Sequence, residues 1–94
     1  MNKNRVPFAE IPDNISIQIL YCLHQNGRMV KSVLYSRLEK SNKTIQPRVD
    51  EMVATGLISE TIEERPPKRK WVELTEKGRK VAEKLEEIEG ILGG

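Results

Sequence analysis

The stretch LEKSNKTIQPRVDEMVATGLISE, residues 38–60, combines an amphipathic helix, a glycine stop and the beginning of a strand. Apolar residues recur at helical spacing along one face of this helix: Ile45, Val49, Met52 and Val53. Polar and basic residues near its amino-terminal end lie off that stripe or on its edge: Lys43, Thr44, Gln46, Pro47 and Arg48. The pattern predicts a helix that packs on a core from behind and presents its polar amino-terminal end to a partner.

The length and composition of the chain limit the classes of protein to consider. Ninety-four residues predict one domain with a single modest core. No apolar stretch approaches the roughly 18 residues of a membrane span, and the opening segment MNKNRVPFAE lacks the apolar region of a signal peptide. Cys22 is the single cysteine, so no internal disulfide can form. We therefore expect a soluble cytoplasmic protein.

Charged residues occur in blocks, although the net charge is only +2. Residues 28–48 hold six bases and one acid, and residues 65–70 hold four bases and no acid. Residues 50–64 hold five acids and no base, and residues 73–89 hold six acids and four bases. Basic blocks separated by acidic ones indicate one positive face on a nearly neutral body, which is the pattern expected for a polyanionic partner.

The chain before residue 38 predicts an arm, a helix, a short strand and a second helix. Residues 1–12 include two prolines and predict an irregular arm. The Asp-Asn pair at 13–14 provides the expected cap of the first helix, and Gly27 is expected to end it. A short strand then leads to a second helix, which we expect to be capped by Ser32 and to end at Lys40.

After the glycine stop the sequence changes from helical to alternating periodicity. An alternating segment from Leu57, a basic turn at 65–69 and a returning strand at 70–74 predict a β-hairpin with bases at its tip. Thr75 is the expected cap of a final helix. The apolar residues of that helix are spaced four, three and four, as in a coiled-coil seam: Val81, Leu85, Ile88 and Leu92.

This order of elements resembles the winged helix-turn-helix regulators of the MarR and PadR kind. The resemblance rests on residues 38–60 and on RKWVELTEKGRK at residues 69–80, and it covers residues 13 to about 92. It implies an α+β, mainly helical fold, with a three-helix core, a two- or three-stranded β-wing and a C-terminal dimerisation helix. It also implies that the third helix enters the DNA major groove and that the wing contacts the DNA backbone or minor groove.

On this basis the chain divides into three parts. Residues 1–12 form the N-terminal arm, residues 13–74 form the winged helix-turn-helix DNA-binding domain, and residues 75–94 form the C-terminal helix. The expected dimer contacts come from both ends of the chain: Phe8, Ile11, Val81, Leu85, Ile88 and Leu92. The seam of the final helix could equally be buried within one chain. It spans little more than one and a half heptads, which is too short to hold a dimer alone, so in a dimer Phe8, Ile11 and the first helix would have to join the interface.

The predicted DNA contacts fall in the second helix, the third helix and the wing. Gln46 can pair with adenine and Arg48 with guanine if their side chains reach the major groove; otherwise they belong to a solvated helix face. Three residues near helix starts suit phosphates, or act simply as caps: Ser32, Lys43 and Thr44. The full set is Ser32, Asn42, Lys43, Thr44, Gln46, Pro47, Arg48, Arg65, Lys68, Arg69 and Lys70.

Pro47 departs from the family pattern, which usually has a polar residue at this point inside the helix. An interior proline destabilises a helix by about 3 kcal/mol, whereas a proline in the first turn is tolerated. We therefore expect the third helix to begin late, near Thr44. Asn42 and Lys43 would then lie in the preceding turn.

No arrangement typical of an enzyme or a metal site is found in the sequence. A Ser-His-Asp or Cys-His set cannot be assembled, no glycine loop suits a phosphate, and three or four converging metal ligands are lacking. We expect no enzymatic activity, no cofactor, no metal and no small-molecule ligand.

Three functions are compatible with these features. The first is a homodimeric, sequence-specific regulator of transcription that binds double-stranded DNA in a prokaryotic cell. The second is a winged helix that serves as a protein-interaction module of a larger complex and does not contact DNA, because one fold hosts many functions. The third is an RNA-binding variant.

Overall fold

The computed structural model describes residues 15–93, which form four helices and three strands. In chain order these are α1 (Ile15–Asn26), β1 (Met29–Val30), α2 (Lys31–Leu38), α3 (Asn42–Ala54), β2 (Ile58–Ile62), β3 (Lys70–Leu74) and α4 (Glu76–Gly93). This order confirms the predicted winged helix-turn-helix. The expected dimer contacts Phe8 and Ile11, together with the expected cap at 13–14, lie outside the described residues.

Two glycines occupy left-handed backbone conformations at the ends of helices. Gly27 follows α1 with φ 78°, and Gly56 follows the end of α3 with φ 82°. Glycine adopts this region without the steric penalty that a Cβ brings. Both predicted stops are therefore confirmed, and the second one turns the chain from the third helix into the wing.

The second helix begins and ends earlier than predicted. Val30 is extended (φ −66°, ψ 137°) and pairs with Trp71, so the chain passes directly from β1 into α2 at Lys31. Ser32 is therefore the second residue of the helix and not its cap, which corrects that prediction. Glu39 takes a left-handed conformation (φ 57°) and donates its backbone N–H to the carbonyls of Tyr35 and Ser36, which ends α2 at Leu38.

The three strands form one antiparallel sheet in the order β1-β3-β2. In the hairpin the register runs from Ile58 opposite Leu74 to Ile62 opposite Lys70. The short strand β1 pairs with the other edge of β3, where Met29 lies opposite Val72. Of the two alternatives for the wing, the three-stranded sheet is therefore the one observed.

The core surrounds α1. The inner faces of α2, α3, α4 and the sheet pack around this helix. Every one of these elements contributes at least one buried apolar side chain: Ile15, Ile19, Leu20, Leu23, Met29, Leu34, Ile45, Val49, Met52, Ile58, Val72, Ala82 and Leu85. Val53 was expected in this core but is 37% exposed. It lies next to Met52 in sequence, and a helical turn of about 100° per residue rotates it to the edge of the apolar stripe.

The beginning of α4 is joined to the end of α3 by several backbone contacts. The Thr75 hydroxyl accepts the N–H of Gly78 at 3.0 Å, which confirms the predicted cap. The same hydroxyl donates to the carbonyl of Gly56 at 2.5 Å, and the Thr75 N–H donates to the carbonyl of Leu57 at 3.1 Å. Lys77 Nζ donates to the carbonyl of Thr55 at 2.8 Å. These bonds fix the base of the wing against the third helix.

Candidate nucleic-acid interface

A groove of about 670 Å³ lies between α2, the amino-terminal half of α3 and the tip of the hairpin. It contains five bases and no acid among its lining residues, which are Val30, Lys31, Ser32, Tyr35, Ser36, Lys40, Asn42, Gln46, Lys68, Arg69 and Lys70. Six of the eleven residues predicted to contact DNA meet here: Ser32, Asn42, Gln46, Lys68, Arg69 and Lys70. A concave surface with one sign of charge raises the local concentration of an oppositely charged partner.

The third helix begins at Asn42, two residues before the start that Pro47 led us to expect. The cap is Ser41, whose hydroxyl accepts the N–H of Thr44 at 3.3 Å. Ile45 is fully buried, so the first turn is held by the core as well as by the cap. The expectation that Asn42 and Lys43 lie in the preceding turn is therefore wrong, because both belong to the first turn of α3.

Pro47 lies inside α3, at an exposed position. It cannot donate a backbone hydrogen bond to the carbonyl four residues earlier, that of Lys43. The buried side chains of Ile45, Val49 and Met52 on the opposite face hold the helix to the core. Tertiary packing thus keeps the segment helical despite the proline, as is common where an amphipathic face is buried.

The remaining helix residues of the predicted site lie outside the groove. Thr44 is engaged in the cap, with its hydroxyl 3.0 Å from that of Ser41, and Lys43 is exposed. The Arg48 guanidinium lies 3.8 Å from the carboxylate of Glu51, one turn further along the helix. Thr44 thus donates its backbone N–H to the Ser41 cap and places its hydroxyl beside that of Ser41, and its phosphate contact stays a prediction.

The wing tip presents four exposed bases: Arg65, Lys68, Arg69 and Lys70. The tip is shaped by two backbone bonds, from the Glu63 N–H to the Arg69 carbonyl at 3.0 Å and from the Arg69 N–H to the Pro67 carbonyl at 2.9 Å. Within residues 15–93, none of these four side chains forms an ion pair or a side-chain hydrogen bond. Their charges are therefore available to a partner.

Gln46 is held between two other side chains. The Tyr35 hydroxyl on α2 donates to Gln46 Oε1 at 2.5 Å, and Gln46 Nε2 donates to Asp50 Oδ1 at 2.7 Å. Burial raises the pKa of the Tyr35 hydroxyl; Lys31 opposes this effect, and Glu60 and Asp50 add to it. The hydroxyl consequently keeps its proton at neutral pH and acts as a donor. Sequence reasoning missed this contact, because Tyr35 and Gln46 are eleven residues apart and no local pattern joins them.

Two further contacts of the wing sheet were also missed. Lys31 Nζ lies 2.6 Å from the carboxylate of Glu60 on β2, and its side chain is only 12% exposed, so this base braces the sheet against α2. Arg28 lies over the ring of Trp71, 4.2 Å from its centroid. Trp71 is therefore covered by a side chain from the segment between α1 and β1.

The predicted dimer seam is divided by the structure. Leu85 is 6% exposed and belongs to the core of the single chain, and Val81 packs beside it. Further along α4, Ile88 is 39% exposed and Leu92 is 80% exposed, and their neighbour Ile91 is 78% exposed. Half of the seam is thus buried within one chain, and the end of the helix carries apolar side chains that its own core does not cover.

A contact between α1 and α4 was not predicted. His24 Nδ1 lies 3.0 Å from a carboxylate oxygen of Glu86, and this pair links the end of α1 to the middle of α4.

Residues 15–93 include no helix long and apolar enough to cross a membrane. Over the same residues, no group of three His, Cys, Asp or Glu side chains is arranged to hold a metal ion.

Solved structures with the same arrangement are transcriptional regulators. A transcriptional regulator homologue from Pyrococcus horikoshii OT3 matches with a TM-score of 0.80 and 16% identity, over 94% of this chain and 89% of the other. A PadR-like transcriptional regulator from Bacillus cereus strain ATCC 14579 matches with a TM-score of 0.75 and 24% identity, over 90% and 89%. The chain has the winged helix-turn-helix fold of PadR-like and MarR-family regulators.

A MarR-family transcriptional regulator from Silicibacter pomeroyi DSS-3 extends the comparison. It matches the winged helix-turn-helix with a TM-score of 0.66 and 27% identity, over 82% of this chain and 57% of the other. No family model and no curated protein sequence matches the chain. The structural neighbours are regulators of transcription and not enzymes, which agrees with the absence of a catalytic arrangement in the sequence.

Proposed function

We propose that this winged helix protein is a transcriptional regulator that binds double-stranded DNA as a homodimer. The observation that carries the proposal is the groove between α2, α3 and the wing, which is lined by five bases and no acid. One of these bases, Lys31, is paired with Glu60. The other four are exposed, and they form the positive face that the blocks of charge predict: Lys40, Lys68, Arg69 and Lys70.

The arrangement of the groove suits a duplex. The amino-terminal turns of α3, which begin at Asn42 and contain Gln46, form one wall and carry side chains that can read base edges in a major groove. The wing tip at 65–70 forms the opposite end and supplies charges for phosphates of the backbone or minor groove. Lys43 is exposed at the first turn of α3 and suits a phosphate there.

The exposed end of α4 favours association of two copies. Ile91 and Leu92 are 78% and 80% exposed, and Ile88, three and four residues before them, is 39% exposed, so an interface at this end of the helix would cover apolar side chains that one chain leaves in water. Two copies related by a two-fold axis would present two α3 helices roughly 34 Å apart on one face of DNA. In this proposal, the arm at 1–12, with Phe8 and Ile11, completes the dimer contact.

The similar structures come from bacteria and an archaeon, and we infer a prokaryotic cytoplasmic setting for this regulator.

The test is the fluorescence anisotropy of a labelled random-sequence duplex of about 30 base pairs, long enough for both recognition helices of a dimer. Protein is titrated across a salt series, and its mass is measured by light scattering. The proposal expects binding whose log–log slope against salt is several units, since each neutralised phosphate contributes about 0.9, from a particle of twice the chain mass.

Failure to bind duplex DNA at low salt would contradict the proposal. Co-purification of a protein partner in that case would support the interaction module instead. Stronger competition by an RNA duplex than by the same sequence in DNA would favour an RNA-binding function, because A-form RNA presents its grooves and 2′-hydroxyls differently.

A further inference from the structure

A series of polar contacts connects the wing to the third helix along the groove. Glu60 on β2 pairs with Lys31 at 2.6 Å, and the Lys31 ammonium lies 6.0 Å from the ring centroid of Tyr35. The Tyr35 hydroxyl donates to Gln46 Oε1 at 2.5 Å, and Gln46 Nε2 donates to Asp50 at 2.7 Å. Of these residues, Lys31, Tyr35 and Gln46 line the groove itself.

The direction of these hydrogen bonds is fixed by chemistry. The Asp50 carboxylate can only accept, so the amide of Gln46 must present its Nε2 to it. The opposite orientation of the amide would set Oε1 against the carboxylate, with two acceptors facing each other. Oε1 therefore faces Tyr35, whose hydroxyl must act as the donor. The charge of Asp50 thus determines which edge of the Gln46 amide carries the donor and which carries the acceptor.

This arrangement leaves part of the amide free for a ligand. Gln46 keeps one N–H and one lone pair of Oε1 that no other residue in 15–93 uses. One donor and one acceptor are what a glutamine needs to pair with N7 and N6 of adenine. A long side chain that is already held in place loses less rotamer freedom when it binds, so the contact is stronger and more selective.

We propose that Tyr35 is a positioning residue, which fixes the Gln46 amide in the orientation that reads adenine in the major groove. This role rests on the proposed DNA-binding function and assigns one base preference to it. Tyr35 acts through Gln46, and Lys31 contributes by holding the tyrosine ring. Since Lys31 is engaged with Glu60, it belongs to this support and does not serve as a phosphate contact.

The test begins with selection of duplexes from a random pool by the wild-type protein. Each base pair of the selected site is then changed in turn, and the loss of affinity is measured at every position. Gln46→Ala identifies the position that depends on Gln46, because only there does the preference of the wild type for A·T disappear. The same panel is measured for Tyr35→Phe, which keeps the ring and removes the hydroxyl.

The expected result is that Tyr35→Phe lowers the discrimination between base pairs at that one position by about fivefold to tenfold. This is part of the discrimination that a complete bidentate contact to a base provides. The loss of discrimination should be confined to that position, whereas a general role of the tyrosine in the groove would lower affinity for every duplex alike. Tyr21→Phe is the matched control, because Tyr21 lies on α1 and does not line the groove; it should leave the whole panel unchanged. Asp50→Asn, at an exposed position, removes the charge that orients the amide and should reduce discrimination at the same position.

The outcomes separate this inference from the proposed function. Suppose that the wild type selects a site and that Tyr35→Phe discriminates as well as the wild type at the base pair that depends on Gln46. The positioning role is then overturned, while the DNA-binding function stands. An equal loss at every position, with a lower unfolding midpoint, also overturns it, because the tyrosine would then be purely structural. If the wild type selects no sequence and binds no duplex at low salt, both proposals fall together.

Discussion

Gly78 lies directly against the backbone of Leu57. A Cβ placed on Gly78 would be 1.9 Å from the carbonyl oxygen of Leu57, far closer than a Cβ and an oxygen can approach without a shift of the backbone. Gly78 belongs to the first turns of α4, and Leu57 follows the end of α3. The two stretches on which the resemblance to winged-helix regulators rests, residues 38–60 and 69–80, therefore meet at this contact. Its closeness explains the glycine at position 78.

We predict that Gly78→Ala destabilises the protein. The obstructing atom is a backbone oxygen, which cannot rotate away, so the helix or the wing must shift; overpacking of this kind destabilises by about 1–3 kcal/mol. Gly90→Ala is the matched control in the same helix, because nothing lies within 4 Å of a Cβ at that position. Alanine there should stabilise by about 0.5–1 kcal/mol through helix propensity. Urea unfolding of both variants measures the two free energies, and equal effects would contradict the contact.

The Thr75 hydroxyl is predicted to stabilise the same junction. It accepts the N–H of Gly78 at 3.0 Å and donates to the carbonyl of Gly56 at 2.5 Å. Thr75→Val keeps the shape and removes these bonds together with a longer one to the carbonyl of Leu57 at 3.1 Å, so the free energy of unfolding should fall by about 1–2 kcal/mol. Thr75→Ser keeps the hydroxyl and should recover most of the loss. If valine and serine behave alike in urea unfolding, the hydroxyl is not what stabilises the cap.

The basic wing is predicted to contribute to DNA affinity through salt-dependent contacts. Arg69→Ala with Lys70→Ala removes two exposed charges at the groove, so the log–log slope of affinity against salt should fall by about two units for each bound protomer. Lys80→Ala with Lys84→Ala is the control of equal charge, because both residues lie on α4, away from the groove, and form only exposed pairs with Glu76 and Glu87. The anisotropy titration measures both slopes. Equal slopes for the two double variants would remove the wing from the DNA contact.

Local periodicity was enough to predict the main elements of this fold. The stripe of Ile45, Val49 and Met52 depends only on helical spacing, and the alternation after Gly56 depends only on the pleat of a strand. The start of α3 was misplaced because the prediction rested on Pro47, whereas the helix begins directly after a cap at Ser41. Tertiary packing outweighed the local penalty of the proline, and a single sequence does not reveal that balance.

The candidate site was predictable only in outline. The bases of the groove were found because charge accumulates in blocks along the chain. The partners of individual side chains were not, since Tyr35 reaches Gln46, and Lys31 reaches Glu60, only once the chain has folded. In the sequence Gln46 was a candidate base contact and Lys31 was one of six bases in a charged block. The fold assigns the first to the edge of the groove and the second to its support.

The end of α4 is predicted to hold the two copies together. Ile91 and Leu92 are 78% and 80% exposed, so they contribute little to the core of one chain. Ile91→Gln with Leu92→Gln keeps good helix formers, removes the apolar contact and adds no charge. Light scattering should give the mass of one chain for this variant where the wild type gives two, with an unchanged unfolding curve after allowance for concentration. Affinity for the selected duplex should fall steeply, because one protomer no longer raises the local concentration of the other.

Val53→Gln is the control, because it changes an exposed apolar residue on α3, and this variant should remain dimeric. If the variant with Ile91→Gln and Leu92→Gln is also dimeric, the copies associate through another surface.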